Sequence, residues 1–598
     1  MKEKSGSYQS DIHNSDYEIE YLEPRLEAAG LINITGRETE SLNGKWNFAE
    51  DLYDTCRRAH WFKDVRCNAS GAEMPLDYDW ENWSRIKVPA VWNLEKPELH
   101  YFEGTGIYTR TFRYFPKTQG ERLVIRFEGA AYRTSVFLNG KFIATHDGAS
   151  TPFNIDISDT VKTDNRIIVT VDARRSPARI PMENTDWFNY GGIYRDVYLV
   201  RLPKIYIKDW FVRLCPDGTF SAIQADIDIA GADGSPVSGK ALLEIKELGV
   251  KQEINIANGK GSVKFSAQPV LWNCENPKLY DVSISFDSDF VNDKIGFREI
   301  KTKDHGIFLN GKKIFLRGVC VHEDHFASGK TTSDEIIRNT IRDLKEMNGF
   351  YFRLAHYPHD GRFAKIADEE GVLLWEEVPV YWAVAFNNPD TYKDAENQLC
   401  ELIMRDRNRA SVIIWSVGNE NDDTDARLSF MSKLAEKTKE LDDSRLVSAA
   451  CLINHEKLMI QDRLSASLDV IGINEYYGWY DPDFEKLPKI LNNSNPGKPV
   501  LVCEFGGDAR LGQRGSADDL WTEDKQKRLY EQQIETFKKC LFIAGLTPWI
   551  LYDFRSPRRL NRYQENFNRK GLIDADRVTK KSAFFVMQNF YEEVKRQK

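Results

Sequence analysis

Long hydrophobic runs are absent from this sequence of 598 residues. No stretch approaches the roughly 20 apolar residues that a membrane-spanning helix needs, so we expect no membrane partner. The first residues, Met-Lys-Glu-Lys-Ser-Gly-Ser, contain no apolar segment of the kind that a signal peptide carries. These absences predict a cytoplasmic protein. A periplasmic or secreted location is the alternative if a signal peptide has been removed ahead of this sequence.

Excess positive charge and clustered cysteines are also missing. The formal net charge is −9 and the pI is about 5.8, which argues against a nucleic-acid partner. Nine cysteines are scattered without a Cys-x-x-Cys pair, a pattern typical of reduced, mostly buried thiols. Two short motifs, His322-Glu-Asp-His325 and His356-Tyr-Pro-His359, lack the His-Glu-x-x-His spacing of zinc-binding helices. We therefore predict no metal and no cofactor.

Aromatic residues, in contrast, are frequent. They make up 12% of the chain and include 14 Trp and 25 Tyr. Aromatic rings stack on the apolar C–H faces of sugars, so this excess fits a carbohydrate-binding protein. The packed cores of β-rich proteins use many aromatic side chains too, and composition alone favours both explanations equally.

The first half of the chain reads as two all-β domains. Short strands at intervals of about ten residues, one of them closed by the hairpin signal Asn139-Gly140, predict a jelly-roll β-sandwich over residues 15–203. A second block of strands over residues 204–303 has the length and turn spacing of an immunoglobulin-like β-sandwich.

The second half of the chain changes to strands that alternate with helices. Ser333 is a predicted N-cap for a helix over residues 334–347, and the apolar segment Phe350-Tyr-Phe-Arg-Leu354 follows it as a strand. Further helix and strand patterns repeat to the end of the chain. Repeated βα units of this length predict a (β/α)8 TIM barrel over residues 304–598.

Two glutamates stand where buried strands of this barrel are predicted to end. Glu420 closes the segment Trp415-Ser-Val-Gly-Asn-Glu420, and Glu504 follows the apolar run Pro499-Val-Leu-Val-Cys503. Catalytic groups of TIM barrels lie at the carboxyl ends of the strands. Glycoside hydrolysis needs a pair of carboxyl groups that face one pocket, so the two glutamates predict a glycosidase.

Four motifs together resemble one enzyme family. The segment from Asp406 to Glu420 resembles the acid/base signature of glycoside hydrolase family 2, which includes β-galactosidases, β-mannosidases and β-glucuronidases. Three other segments resemble signatures of the same family: Asn184-Thr-Asp-Trp-Phe-Asn-Tyr-Gly-Gly-Ile-Tyr-Arg195, Arg353-Leu-Ala-His-Tyr-Pro358 and Trp375-Glu-Glu-Val-Pro379. The resemblance extends over almost the whole chain.

The resemblance implies roles for three residues. Glu420 would be the acid/base and Glu504 the nucleophile of a retaining mechanism, with carboxyl groups about 5–5.5 Å apart. Glu420 must hold a proton near neutral pH, so we expect apolar or negatively charged surroundings for it. Asn419 would hydrogen-bond the 2-hydroxyl group of the sugar.

Asn568 and Lys570 are the candidates for choosing the sugar. At i and i+2 of an extended segment they place an amide and an ammonium on the same side, a pair that suits a carboxylate. The pair resembles the Asn-x-Lys motif with which β-glucuronidases bind the carboxylate of glucuronate. A solvated basic loop is the alternative.

Other positions match sugar-contacting residues of that subgroup. The resemblance implies substrate contacts for His322, Tyr476, Tyr480, Trp549 and, from the jelly roll, Asp156.

Two features near these positions depart from the subgroup. Glu475 stands where that subgroup often has Arg. A cluster of Arg555, Arg558 and Arg559 has no counterpart in the best-known members of the subgroup. It is a site for a second acidic sugar, a basis for preferring a different uronate, or a solvated basic face.

The sequence thus predicts a retaining exo-β-glucuronidase of family 2 that hydrolyses β-linked uronides. A β-galacturonidase or β-galactosidase with the same catalytic residues is the alternative, because sequence does not place the contacts that distinguish C4 epimers. A carbohydrate-binding protein without catalysis is a further alternative, and the presence of both glutamates argues against it. We also expect a homo-oligomer.

Overall fold

The chain folds into two β-sandwiches and a barrel. The computed structural model describes residues 24–63, 65, 70–231 and 234–597. Within these residues, five single 3-10 turns accompany the regular elements. They lie at Ala28–Gly30, Trp80–Asn82, Pro97–Leu99, Lys246–Leu248 and Arg463–Ser467.

The first body is a sandwich of two antiparallel sheets. Its ten strands are β1 Thr39–Ser41, β2 Gly44–Asp51, β3 Ser84–Val88, β4 Thr105–Arg113, β5 Arg122–Phe127, β6 Arg133–Leu138, β7 Lys141–Asp147, β8 Phe153–Asp156, β9 Asp164–Asp172 and β10 Val197–Leu202. The sheets have the orders β1-β10-β5-β8 and β3-β2-β4-β9-β6-β7. Two short helices, α1 Thr55–Arg58 and α2 Trp92–Glu95, lie in the connections.

The predicted hairpin signal lies at the turn between β6 and β7. Asn139 and Gly140 have φ values of 51° and 79°, and the two strands pair in antiparallel fashion on either side of them. Positive φ at both central residues is the requirement of a type I′ turn. The hairpin predicted from Asn139-Gly140 is confirmed.

The second body is a smaller sandwich. Its strands are β11 Ile205–Leu214, β12 Ala222–Gly231, β13 Gly239–Ile245, β14 Val250–Ile256, β15 Lys260–Ser266, β16 Tyr280–Phe286 and β17 Asp289–Ile295. They form sheets of order β11-β12-β15 and β14-β13-β16-β17. Burial alternates along β12, as expected for a strand with one face toward the core.

The third body is a closed parallel barrel. A small sheet of β18 Ile300–Lys303, β19 Gly306–Leu309 and β20 Lys312–Ile314 precedes it. The barrel strands are β21 Leu316–Val321, β22 Tyr351–Leu354, β23 Leu373–Glu377, β24 Val412–Asn419, β25 Leu446–Cys451, β26 Ile471–Asn474, β27 Val500–Glu504 and β28 Ile543–Leu546. β21 pairs with β28 and closes the ring. A short pair, β29 Phe554–Arg555 and β30 Phe567–Asn568, follows.

Helices surround the barrel. They are α3 Asp334–Glu346, α4 Gly361–Glu370, α5 Pro389–Asp406, α6 Asp425–Leu441, α7 Lys486–Asn493, α8 Glu523–Phe537 and α9 Ser582–Arg596. The Ser333 hydroxyl accepts a hydrogen bond from the Ile336 amide, which confirms the predicted N-cap of α3. Among the described residues, none of these helices combines the length and apolar character needed to cross a membrane.

The fold class predicted from the sequence is confirmed. The boundaries 15–203, 204–303 and 304–598 stay predictions, and residues 15–23 of the first one lie outside the described residues.

Buried polar contacts attach the first sandwich to the barrel. Arg195 donates to Glu323 at 2.8 Å and to the Pro358 carbonyl at 2.9 Å. The Tyr132 hydroxyl donates to Asp394 on α5. A charge that is buried without a partner is costly, so these pairs restrict the sandwich to one orientation. The segment that follows β9 thereby reaches the open end of the barrel.

Candidate functional site

The carboxyl ends of four barrel strands carry the central polar residues of the site. Asn419 ends β24 and Glu420 follows it, Glu504 ends β27, and Asn474 ends β26. Arg353 lies on β22. The strands of a TIM barrel meet at this end, so short extended segments far apart in sequence deliver these side chains to one place.

A single guanidinium connects most of them. Arg353 is fully buried, and it donates to Glu504 Oε1 at 2.7 Å and to Asn419 Oδ1 at 2.7 Å. It also donates to both oxygens of Glu377, at 3.1 and 3.3 Å. Burial by itself would raise the pKa of Glu377, but Arg353, His356 and Trp375 hold it at about 2. Glu377 is therefore a permanent anion that orients Arg353.

Glu504 receives two donors. Arg353 bonds one carboxyl oxygen, and the Tyr476 hydroxyl donates to the other at 2.7 Å. Both bonds fix the orientation of the carboxyl group. This environment suits the role of nucleophile predicted for Glu504.

Glu420 has a different environment. The Trp382 indole donates to Oε2 at 2.7 Å and the Asn474 amide donates to Oε1 at 3.0 Å. Burial raises the pKa of Glu420, and the negative charge of Glu504 raises it further, while Asn474 and Trp382 act in the opposite direction. The net shift is upward, as a proton donor near neutral pH requires.

Several buried polar atoms at this end of the barrel have no hydrogen-bond partner within the described part of the chain. They include Asn419 Nδ2, His322 Nε2 and Asn474 Oδ1. Buried polar atoms are nearly always paired, so unpaired ones that converge on a site indicate a ligand. The free Asn419 amide is available for the predicted bond to a sugar hydroxyl.

Aromatic side chains form the walls. His356 stacks on Trp549 with ring centroids 4.9 Å apart, and Trp187 approaches His356 to 5.6 Å. His322 lies 5.2 Å from Trp549 and 4.3 Å from Phe554. Burial, followed by the nearby His356, lowers the pKa of His322 well below its ordinary value. A neutral imidazole among aromatic rings suits contact with a sugar hydroxyl.

Asn568 and Lys570 lie beside the two tyrosines predicted with them. Both residues are 1% exposed. The Lys570 ammonium contacts Asp508 at 2.6 Å and donates to the Tyr480 hydroxyl at 2.7 Å. Burial alone would lower the pKa of Lys570, but Asp508 and Tyr480 hold it above its ordinary value. An ammonium has three N–H donors, so one remains for a substrate anion.

The sequence reasoning assigned no role to Arg353, Trp382 or Asn474, and it also missed Asp186. Asp186 accepts hydrogen bonds from Ser556 at 2.6 Å and from Asn568 at 3.2 Å, and it forms an ion pair with Arg559. It comes from the first sandwich, inside the segment from Asn184 to Arg195. Sequence reasoning could have singled out Asp186, because this acid lies inside a family signature and outside any strand.

The prediction that Asp156 reaches the site was wrong. Its carboxylate is 42% exposed and pairs with Arg122 at 2.6 Å. It also accepts hydrogen bonds from the backbone and hydroxyl of Ser158, as a turn-forming aspartate does. The sandwich does extend an acid to the barrel, but that acid is Asp186.

The arginine cluster separates into different environments. Arg555 pairs with Asp324 at 3.3 Å, and Arg559 pairs with Asp186. Arg558 is exposed and lies over the Trp382 ring, with its guanidinium carbon 4.9 Å from the ring centroid. Two of the three arginines are therefore paired with carboxylates.

Glu475 is buried beside the site without a cation. One oxygen accepts the Tyr477 amide at 3.1 Å, and the other has no partner among the described residues. Burial raises the pKa of Glu475 from 4.5 to about 8. Glu475 is therefore protonated in the folded protein at neutral pH.

We expect Glu475→Gln to change how stability depends on pH. A carboxyl group whose pKa is raised on folding favours the fold at low pH, and that stability is lost as the pH rises from about 4.5 through about 8. The melting temperature of the variant relative to the wild type should therefore be several degrees more favourable at pH 8.5 than at pH 5. Differential scanning calorimetry at both pH values measures this, with the exposed Glu456→Gln as control. An equal difference at both pH values would contradict the assignment.

Within the described residues, no group of three or more His, Cys, Asp or Glu side chains is arranged to hold a metal ion.

Three family models match successive segments of this chain, and all three describe the same family. The family model described as "Glycosyl hydrolases family 2, sugar binding domain" matches residues 39–203, "Glycosyl hydrolases family 2" matches 205–298, and "Glycosyl hydrolases family 2, TIM barrel domain" matches 300–596.

Individual proteins with the same architecture are similar over most of their length. A beta-glucuronidase of Bacteroides fragilis is 28% identical over 84% of this chain and 77% of its own. A solved beta-glucuronidase of an uncultured Clostridium has a TM-score of 0.81 at 26% identity, covering 94% of this chain and 99% of its own. A beta-galacturonidase of Eisenbergiella tayi, bound to galacturonate, has a TM-score of 0.80 at 25% identity and the same coverage. With three family models matched in order and the acidic pair in place, this chain belongs to glycoside hydrolase family 2.

Proposed function

We propose that this protein is a retaining exo-β-glucuronidase. The observation that carries the proposal is the buried pair Asn568 and Lys570. Lys570 donates to Tyr480, the Tyr480 ring packs against Tyr476, and the Tyr476 hydroxyl donates to Glu504. A buried ammonium with an unused N–H suits the carboxylate of a uronic acid. Relatives with the same architecture include proteins named beta-glucuronidase.

The mechanism follows from the unequal environments of the two acids. Glu504, oriented by Arg353 and Tyr476, attacks the anomeric carbon and forms a glycosyl-enzyme ester. Glu420 gives its proton to the oxygen of the leaving group in the same step. Glu420, now ionised, then takes a proton from the water that hydrolyses the ester. The free Asn419 amide donates to the sugar 2-hydroxyl, an interaction that strengthens in the transition state.

A β-galacturonidase is the second candidate. The solved relative from Eisenbergiella tayi binds galacturonate and has the same fold as this chain over nearly its full length. Both uronates present a carboxylate at C6, so Asn568 and Lys570 suit either one. The two sugars differ at C4, and the contacts to that hydroxyl decide between the candidates.

The substrate class can be tested with Lys570→Met combined with Asp508→Asn, which keeps the buried charges balanced. We expect kcat/KM for an aryl β-glucuronide to fall about 10- to 100-fold, because a charge-assisted bond contributes about 1.5–3 kcal/mol. Turnover of an aryl β-galactoside should be spared. An aryl β-galacturonide in the same panel identifies the epimer that the enzyme prefers.

Two controls make this result decisive. Arg37→Met combined with Asp289→Asn removes a buried Arg–Asp pair between the two sandwiches, and it should not change the ratio of uronide to galactoside turnover. Glu504→Ala should abolish turnover of all three substrates. Equal loss on all three substrates in the Lys570 variant would overturn the assignment of a uronate.

The pH dependence tests the role of Glu420. Trp382 stabilises the ionised form of Glu420, so Trp382→Phe should raise its pKa and move the basic limb of the kcat/KM profile upward by about half a unit to one unit. Trp83→Phe in the first sandwich is the control. A basic limb that stays in place or moves downward would argue against Glu420 as the proton donor.

We further propose, as the sequence predicts, that the protein is a cytoplasmic homo-oligomer. Light scattering on the purified protein and fractionation of the source cells test these two statements.

A further inference from the structure

In the loop after β29, Arg558 and Arg562 form no ion pair with a carboxylate among the described residues, and Arg558 is the one that packs on Trp382. Arg555 and Arg559 are committed to Asp324 and Asp186. Arg558 is exposed, and the hydrogen bond that the structure records for its side chain goes to the neutral amide oxygen of Asn184 at 3.2 Å. Its positive charge is therefore available to an anion from outside the chain.

Trp382 connects this arginine to the catalytic acid. The Arg558 guanidinium lies over the indole, and Tyr381 stacks against the same indole with ring centroids 4.4 Å apart. The edge of the indole donates to Glu420. Trp382 and Glu420 both have positive φ, 55° and 51°. Non-glycine residues in this region are strained, and such strain concentrates at ligand-binding and catalytic sites.

The position of Arg558 relative to the substrate follows from the role of Glu420. A proton donor must lie beside the glycosidic oxygen, which belongs to the leaving group. Trp382 bonds that donor directly, so it lies on the leaving-group side of the scissile bond. Arg558 contacts the face of the Trp382 ring and is therefore separated from Glu420 by that ring. Its charge also reaches the pocket, because it opposes the rise in the pKa of Tyr381 that burial, Asp186, Glu420 and Glu504 cause.

We propose that Arg558, held by Trp382, is a leaving-group subsite that binds an anionic group on the second sugar of the substrate. This inference rests on the proposed glycosidase function and names the class of aglycone. The guanidinium is planar and offers paired donors, which match a carboxylate or a sulfate ester. The preferred substrates are then β-linked oligosaccharides in which an acidic sugar follows the terminal residue.

The test uses disaccharides that share a glycone and differ in one group. An aryl glycoside panel first selects the glycone that the wild type turns over. That glycone is then linked to galactose, galacturonic acid or galactose 6-sulfate. We expect kcat/KM to be higher for the two acidic disaccharides than for the neutral one. Arg558→Ala should lower this ratio about three- to tenfold, mainly through KM, and leave the simple aryl glycoside unchanged within about twofold.

Two comparisons separate binding from other effects. Arg558→Lys should restore part of the ratio, because it keeps the charge but not the paired donors. Arg113→Ala removes an exposed arginine of the first sandwich, and it should leave the ratio unchanged. Added salt should weaken the wild-type preference, since the site is exposed.

Some outcomes would overturn the subsite or the proposed function, and another would identify the anion that the subsite binds. An unchanged ratio in Arg558→Ala, or an equal loss on all substrates including the aryl glycoside, overturns the subsite. A preference for one acidic disaccharide alone identifies the anion as carboxylate or sulfate. Failure of every aryl glycoside would instead overturn the proposed function, and the two failures are therefore distinguishable.

Discussion

The buried guanidinium of Arg353 is the interaction on which the site depends. It is fully enclosed and bonds carboxylate or amide oxygens from three other strand ends: Glu377, Asn419 and Glu504. A buried charge that loses a partner costs several kcal/mol, so each of these side chains is restrained by the others. The barrel brings the strand ends together, and this cation sets the orientation of the groups that they carry.

The same cation creates the electrostatic difference between the two catalytic candidates. Arg353 contacts Glu504 directly, whereas Glu420 accepts bonds from the neutral groups Trp382 and Asn474. Burial and then the negative charge of Glu504 raise the pKa of Glu420. Two identical carboxyl groups are thus prepared for opposite tasks by their neighbours. Glu475 nearby is buried without a cation, and burial alone raises its pKa to about 8.

Charge balance continues outward from the catalytic pair. Lys570 faces Asp508, Arg559 faces Asp186, and Arg555 faces Asp324. Each of these pairs is neutral overall. In our proposal, the unused N–H of Lys570 and the exposed Arg558 distinguish acidic substrates from neutral ones. The first would act on the terminal sugar and the second on the sugar that follows it.

The sequence by itself determined the three-part architecture and the approximate position of the acidic pair. Strand and helix periodicity predicted the barrel, and Glu420 and Glu504 follow apolar runs whose ends meet in such a fold. These predictions succeed because periodicity depends only on residues that are close together in the sequence.

Contacts between domains join residues that are far apart in the sequence, so only the tertiary structure decided them. Asp156 and Asp186 are both acids of the first sandwich. The packing of that sandwich on the barrel, through Arg195 and Tyr132, brings one of them to Asn568 and leaves the other in a surface turn. The different fates of Arg555, Arg558 and Arg559 have the same cause, because each depends on which acid from another segment lies within reach.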